Sequence, residues 1–294
     1  MKYAWMQAQG RLWPISVMCR VLDVSESGYY HHCSHVSTRR HVNDTALLTH
    51  IRAMHAKVKG EYGWPRMWKA LQANGTQVSK ERVRQMMKQN GIQARGKRKF
   101  VVTTDSRHNL PVKPNLLQRD FTTAAPNQVW TGDITYIQTG EGWLYLAIVL
   151  DLFSRQVVGF SMQPHMRTSL VTDALRMAWF RRKPVKSSGL IFHSDRGSQY
   201  CSEVYQTELT RFGMQSSMSR KGDCWDNAPT ESLWGRLKVG RLHGRQFATR
   251  REAMDEVIDW LTFYNQSRLH STLNYLSPMQ FEARWLAEQR KKSA

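Results

Sequence analysis

Three acids stand out for where they sit. Asp133 lies inside Trp130-Thr131-Gly132-Asp133-Ile134-Thr135-Tyr136, which alternates like a strand, and Asp195 follows the apolar run Leu190–Ser194. Glu231 comes two residues after Pro229, and residues 196–230 separate it from Asp195. A proline placed there belongs to the first turn of a helix, where its missing N–H is not needed. An acid within an apolar strand is costly unless it is paired or binds a cation. Three converging carboxylates also raise one another's pKa values. A hard divalent cation relieves both costs through oxygen ligands. Two such cations about 3.5–4 Å apart can activate a water or a 3′-hydroxyl and stabilise the departing oxygen of a phosphodiester. On this reading Asp133, Asp195 and Glu231 are at once the catalytic residues and the ligands of two Mg²⁺ (or Mn²⁺) ions. Lys238 stands seven residues past Glu231 on the same helical face, about 10 Å along the axis, where it would meet a phosphate beside the reacting one. Arg236 and Arg241 extend that basic character. Taken singly, each acid reads as a turn cap or surface charge and Lys238 as a solvated lysine; it is their conjunction that argues for a site.

The elements that must position these residues follow from periodicity. Val129–Ile137 alternates, Leu144–Leu150 is a buried strand and Gln156–Met162 a third, joined by Gly140, Gly142 and the Asp151–Arg155 turn, so hairpins are expected. A helix is expected over Ser169–Phe180, a central strand over Leu190–Ser194, a helix over Ser202–Phe212 and a short strand over Met214–Met218. Antiparallel strands followed by alternating helix and strand predict an α/β fold with a mixed five-stranded sheet and flanking helices. Further helices are expected over Arg250–Asn265 and Pro278–Gln289.

Upstream, the pattern is helical. Pro14 opens a helix carrying Val17, Met18, Val21 and Leu22, and Ser25 caps a second one through Tyr30. Leu47, Leu48, Ile51, Met54 and Val58 form one stripe; Pro65 opens the next helix, which Gly75 ends; Ser79 caps a third that closes at Gly91. The last of these presents Lys80, Arg82, Arg84 and Lys88 outward and leads to Lys97, Arg98 and Lys99, as a recognition helix with a phosphate-binding tail would. A solvated basic face is the plainer account of the same residues. His31, His32, Cys33, His35 and His41 cluster nearby but lack the paired spacing of a tetrahedral zinc site, so no metal is expected there. The resulting division is an N-terminal helical segment (1–40), a small basic all-α helix-turn-helix region (41–100), a proline-marked linker (101–121), a core with C-terminal helices (122–285) and a basic tail (286–294).

Charge agrees with this division. The chain carries a net +20, and residues 1–121 hold 21 Lys and Arg against 7 Asp and Glu, while 122–294 hold 22 against 16. Such an excess points to a polyanionic partner. The four cysteines form no close pair, and the longest apolar run, Leu144–Leu150, is too short to span a bilayer. The start lacks the apolar run of a signal peptide. A reducing, cytoplasmic and nucleoid-associated home is expected, with no membrane.

The matching words are Trp-Thr-Gly-Asp-Ile-Thr-Tyr at 130–136, His-Ser-Asp-Arg-Gly-Ser-Gln-Tyr at 193–200 and Asp-Asn-Ala-x-x-Glu at 226–231. They resemble the Asp, Asp, 35-spaced Glu triad of the retroviral integrase and transposase superfamily. The kin most similar to the chain are second-frame (orfB-type) transposases of bacterial insertion sequences with two overlapping reading frames. Tyr264-Asn265-Gln266-Ser267-Arg268-Leu269-His270 in the tail, Tyr62–Arg66 and Pro114–Phe121 carry the likeness over nearly the whole chain. The resemblance implies a ribonuclease-H-like core and hydrolytic nicking at the element's terminal inverted repeats, then direct attack of the freed 3′-hydroxyl on double-stranded target DNA. It also implies a homo-oligomer and fusion with, or binding to, the upstream-frame protein. A hydrolytic nuclease of the same fold is the enzymatic alternative, and a DNA-binding regulator with a defunct core the non-enzymatic one. None of the three acids is lost, which speaks against the regulator.

Overall fold

The computed structural model describes residues 2–10, 12–33, 39–96, 110–220 and 224–292. Lys97, Arg98, Lys99 and His35 lie outside them, as do the side chains of His31 and His41. The chain opens with α1 (Lys2–Gln9), α2 (Ile15–Val21) and α3 (Glu26–Cys33), which share a small core of Met6, Met18, Cys19 and Tyr29. Of these, α1 escapes the sequence reading because Met6 is its only buried residue.

Next come α4 (Arg39–Lys57), α5 (Trp64–Ala73) and α6 (Lys80–Gln89). Pro65 occupies the first turn of α5, and the Ser79 side chain accepts the Arg82 backbone N–H to cap α6. The turn between them needs a left-handed residue, and Gly75 supplies it at φ 81°. Leu47, Ile51, Tyr62, Met67, Leu71, Val83 and Met87 fill the space between the three helices.

The sheet comprises β1 (Val129–Thr139), β2 (Gly142–Asp151), β3 (Val157–Gln163), β4 (Ile191–Ser194) and β5 (Gln215–Met218), in the order β3-β2-β1-β4-β5. The first three are antiparallel hairpins, while β4 and β5 join in parallel. This is the mixed five-stranded sheet the strand pattern predicts. Between β3 and β4 lies α7 (Thr168–Arg182); α8 (Ser198–Cys201) and α9 (Glu203–Arg211) link β4 to β5; α10 (Ala228–Leu237), α11 (Arg250–Gln266) and α12 (Pro278–Lys292) complete the chain.

Alternation sorts side chains between two cores. Val129, Ile137, Leu144, Leu146, Ile148 and Leu150 face α10 and α11, with Trp234, Val257 and Trp260. Trp130, Ala147 and Val149 face α7 and α9, with Leu175, Phe192 and Tyr205. At about 25 cal/mol per Å² each buried aromatic contributes several kcal/mol. No helix among the described residues is long and apolar enough to cross a membrane.

Two features fall outside periodicity. Part of the expected linker is strapped to the sheet edge: Met218 N–H donates to the Pro114 carbonyl at 3.3 Å, and Leu116 N–H to Ser217 Oγ at 2.9 Å. The helical region is also locked onto the core. Glu61 accepts from Arg241 Nε at 2.7 Å and from Arg268 Nε at 3.4 Å, while Arg241 also reaches Glu256 and Asp259. Arg241 continues α10 as a π-helical turn, Lys238–Leu242, and a Cβ on Gly240 would come within 2.8 Å of the Glu61 carboxyl carbon. Only glycine leaves room for that ion pair.

Candidate active site

The parallel pair β1–β4 runs in register Val129↔Ile191, Trp130↔Phe192, Thr131↔His193. Asp133 follows two residues after the last of these pairs on β1 and Asp195 comes directly after β4 ends, near enough for its charge to act on the Asp133 carboxyl. Odd-numbered positions of β1 face α10, so Asp133 emerges under that helix. Gly132 faces the other way, and a Cβ there would stand 2.6 Å from the Phe192 ring. The glycine therefore leaves room for the Phe192 ring beneath the strand that carries Asp133.

Helix α10 is pinned over Asp133 by its own polar residues. Thr131 and Thr230 hydroxyls meet at 2.8 Å, the Asn227 amide donates to the Gly132 carbonyl at 3.3 Å, and Thr230 Oγ1 donates to Asn227 Oδ1 at 2.9 Å. One turn past Glu231, Trp234 Nε1 donates to Asp133 Oδ2 at 2.8 Å; Oδ1 accepts the Ile134 N–H at 2.8 Å. Asp195 Oδ1 accepts the Gly197 N–H at 2.9 Å. Glu231 sits on the exposed side of the first turn of α10. The two aspartates are thus brought together by the sheet. Among the described residues, no three His, Cys, Asp or Glu groups are already gathered into a metal-holding cluster.

Electrostatics single out Asp133. Burial, then the charge of Asp195 and, more weakly, that of Glu231 push its carboxyl up to about 7, against the opposing bonds from Trp234 and Ile134. Burial raises Glu231 too. Lys238 begins the π-helical turn with Nζ 5.4 Å from the centre of the Tyr136 ring; burial lowers its pKa and the charge of Asp133 opposes that shift. An all-carboxylate donor set beside a lysine, with one acid held half-protonated near neutrality, suits a hard divalent cation.

Other expected positions have different surroundings. His193, in the word His-Ser-Asp, is buried, bonds Ser217 and Ser219, and burial drives it down to about 4, so it is neutral and structural. Asp226 is wholly buried and accepts from Arg220, Arg119 and Asn115, and Arg220 first, then Arg119, hold it well below the ordinary carboxylate range. It anchors the approach to α10. Arg236 donates to His270 at 2.5 Å, and Arg241 is buried in its acid network, so Arg241 does not extend a basic surface. On α6, Arg82 is held by Asp44 at 2.9 Å and Arg84 by Glu81 at 3.1 Å, while Lys80 and Lys88 are exposed. Sequence reasoning missed Trp234, Thr131 and Thr230 as positioning residues; polar and indole groups flanking an acid at one-turn spacing were the available signal.

An integrase core domain family matches residues 123–224, a second integrase core family matches 212–278, and an HTH-like domain matches 42–100. The transposase InsF of insertion sequence IS3A from Escherichia coli K12 is 42% identical over 98% of this chain and 100% of its own length. The 31 kDa protein of insertion element IS600 from Shigella sonnei is 42% identical over 91% of this chain and 98% of its own. The catalytic core of HTLV-2 integrase, in complex with magnesium, overlaps 55% of this chain and 99% of that one at 15% identity and a TM-score of 0.42. Identity of that degree over almost the full length shows that the chain belongs to the InsF transposases of IS3-type insertion sequences, DDE-type enzymes with an integrase catalytic core.

Proposed function

We propose that Asp133, Asp195 and Glu231 hold two Mg²⁺ or Mn²⁺ ions and that the chain nicks insertion-sequence ends and joins the freed 3′-hydroxyl to target DNA. When bound, such ions lower the pKa of the attacking hydroxyl and neutralise charge on the leaving oxygen. The observation that carries the reading is the proximity of Asp133 on β1 to Asp195 at the end of β4, each from its own strand of the parallel pair, with α10 pinned above by Thr230 and Trp234. The chain's own residues prepare the site. Trp234 and Ile134 fix both oxygens of Asp133, Gly197 fixes one oxygen of Asp195, and Glu231 completes the set from the first turn of α10. Lys238 offers a cation to the phosphate flanking the reacting one.

The helix-turn-helix region at 41–100 binds the terminal inverted repeats, with Lys80 and Arg84 on α6 and the following Lys97, Arg98 and Lys99 as phosphate contacts, and the core at 122–285 does the chemistry. The working form is a homo-oligomer, joined to or bound by the upstream-frame protein. The test is Asp195→Asn, which keeps shape but removes ligand charge. Nicking and joining should both require Mg²⁺ or Mn²⁺ and both vanish in the variant, with terminal-repeat binding retained. Joining at the wild-type rate would overturn the two-ion reading, and wild-type nicking without joining would leave a hydrolytic nuclease.

A further inference from the structure

The segment Tyr264–His270 at the end of α11 gathers cations from four parts of the chain. Arg268 lies within it. Arg66 on α5 donates through Nε to the Leu269 carbonyl at 3.1 Å, and Arg236 on α10 donates to His270 Nε2. Arg155 precedes Val157 by two residues, and the backbone of Val157 is tied in both directions to the Asn265 side chain at 3.0 and 2.9 Å. His270 adds no charge: Nδ1 meets Thr272 Oγ1 at 2.8 Å, and burial with the surrounding arginines drives it down to about 3.

Acids do not balance this cluster. Glu61 reaches Arg268 only at 3.4 Å and is shared with Arg241, and Asp151, the acid acting on Arg155, is occupied by Arg182 and the backbone N–H groups of Asn127 and Phe153. Arg268 is 4% exposed, yet its Nη1 has no hydrogen-bond partner. A buried guanidinium N–H without an acceptor has given up its hydration for no hydrogen bond in return. Arg66 is pressed down to about 10 by burial and by the charges of Arg268 and Arg236. Arg155 holds a left-handed backbone, φ 59°, of the kind that persists where surroundings over-determine it. It also lines a cleft of about 460 Å³ together with Arg119, Asp120, Thr122 and Thr272, so the cluster opens to solvent at Arg155, with two arginines and one acid on that cleft.

We propose that Arg66, Arg155, Arg236 and Arg268 form a binding site for a phosphate oxyanion of the DNA backbone, at the seam between the helix-turn-helix region and the catalytic core. Planar guanidinium forks from several directions match phosphate oxygens. Arg236 and Glu231 share α10, about 7.5 Å of axial rise apart but on different faces of the helix, so the site lies near the acids without sharing their face. The site rests on the transposase reading for its ligand, but its test does not use cleavage.

The experiment compares wild type, Arg155→Asn, Arg155→Lys, Arg236→Gln and, as control, the exposed Lys291→Ala, all in EDTA. Asparagine tolerates the left-handed backbone. Melting is followed in chloride and in inorganic phosphate at equal ionic strength, and terminal-repeat affinity is followed against salt at a temperature where every variant is folded. Wild type and Arg155→Lys should melt higher in phosphate than in chloride, and Arg155→Asn and Arg236→Gln should lose that gain. Removing one arginine should leave the chloride melting point unchanged or raised, since like-charge repulsion is relieved, whereas a merely structural arginine would lower it. Loss of one neutralised phosphate should flatten the log–log salt slope by about 0.9. A phosphate effect with an unchanged DNA slope would reduce the site to free phosphate and overturn the DNA assignment. Equal behaviour of all variants would overturn the site itself. Metal-dependent joining surviving either failure would leave the transposase reading standing.

Discussion

Replacing Asp226 by Asn tests whether the first acid of Asp-Asn-Ala-x-x-Glu builds the site or belongs to it. The carboxylate is wholly buried and takes the Arg220 N–H at 2.8 Å, both arms of the Arg220 guanidinium at 3.1 and 3.2 Å, Arg119 Nε at 3.2 Å and the Asn115 amide at 2.9 Å. Every partner is a donor, so the amide turns one acceptor into an N–H facing donors and removes the charge. Breaking a buried pair costs about 3–5 kcal/mol. Arg119 and Arg220 are each about half exposed and can rehydrate, so about 2–3 kcal/mol is the expected loss. The pH dependence has a definite sign. Arg220 first, against the opposing effect of burial, holds the folded carboxyl below its unfolded 3.8. Its contribution is therefore fully present above about 4 and is lost as pH falls through the folded value. Urea melts should show a constant gap between wild type and variant from pH 7 to 5, closing below about 4. DNA cleavage should fall with stability, since Asn227, the next residue, fixes α10 to Gly132. A variant of undiminished stability that had lost cleavage would refute the reasoning and make Asp226 a reacting-site acid.

Other perturbations probe separate links. Trp234→Phe deletes the donor that orients Asp133 Oδ2 and should raise the Mn²⁺ concentration needed for half-maximal cleavage by about tenfold; an unchanged metal requirement would deny Trp234 that role. Lys238→Ala should weaken terminal-DNA binding at all sequences and flatten the salt slope by about one unit, and an unchanged slope with normal joining would leave Lys238 as a packing residue over Tyr136. His193 and His270 are held neutral by burial, down to about 4 and about 3. Below about 6.5 the unfolded chain binds protons that the folded chain excludes, so stability should fall from pH 6.5 toward 4.5, by up to about 2 kcal/mol per histidine at pH 5. A flat profile over that window would contradict it.

What was legible in the sequence was what is local. The alternation around Asp133, the prolines opening α5 and α10 and the Ser79 cap fall where the pattern puts them, because each depends on neighbours within one turn or one strand. The antiparallel hairpins were readable from the short links at 140–142 and 151–156. The π-helical turn at 238–242 was not, since its reason lies in Glu61, far earlier in the chain, for which Gly240 clears space. The strap at 114–118 carries no periodicity because its bonds are backbone groups meeting Ser217 and Met218.

The same contrast explains which basic residues could be assigned from sequence. Lys80 and Lys88 are outward by helical phase alone, and they are exposed. Arg82, two positions off that phase, is drawn to Asp44 on α4, and Arg241 is drawn inward by three acids from α11 and the turn after α4. A charge count makes all of these equal contributors to a +20 surface. The fold sets some of that charge against carboxylates such as Asp44, Glu61 and Glu256, while in the cluster of Arg66, Arg155, Arg236 and Arg268 the guanidinium groups press on one another and Arg268 Nη1 has no acceptor. For a basic protein it is this local surplus, more than net charge, that marks where a polyanion is held.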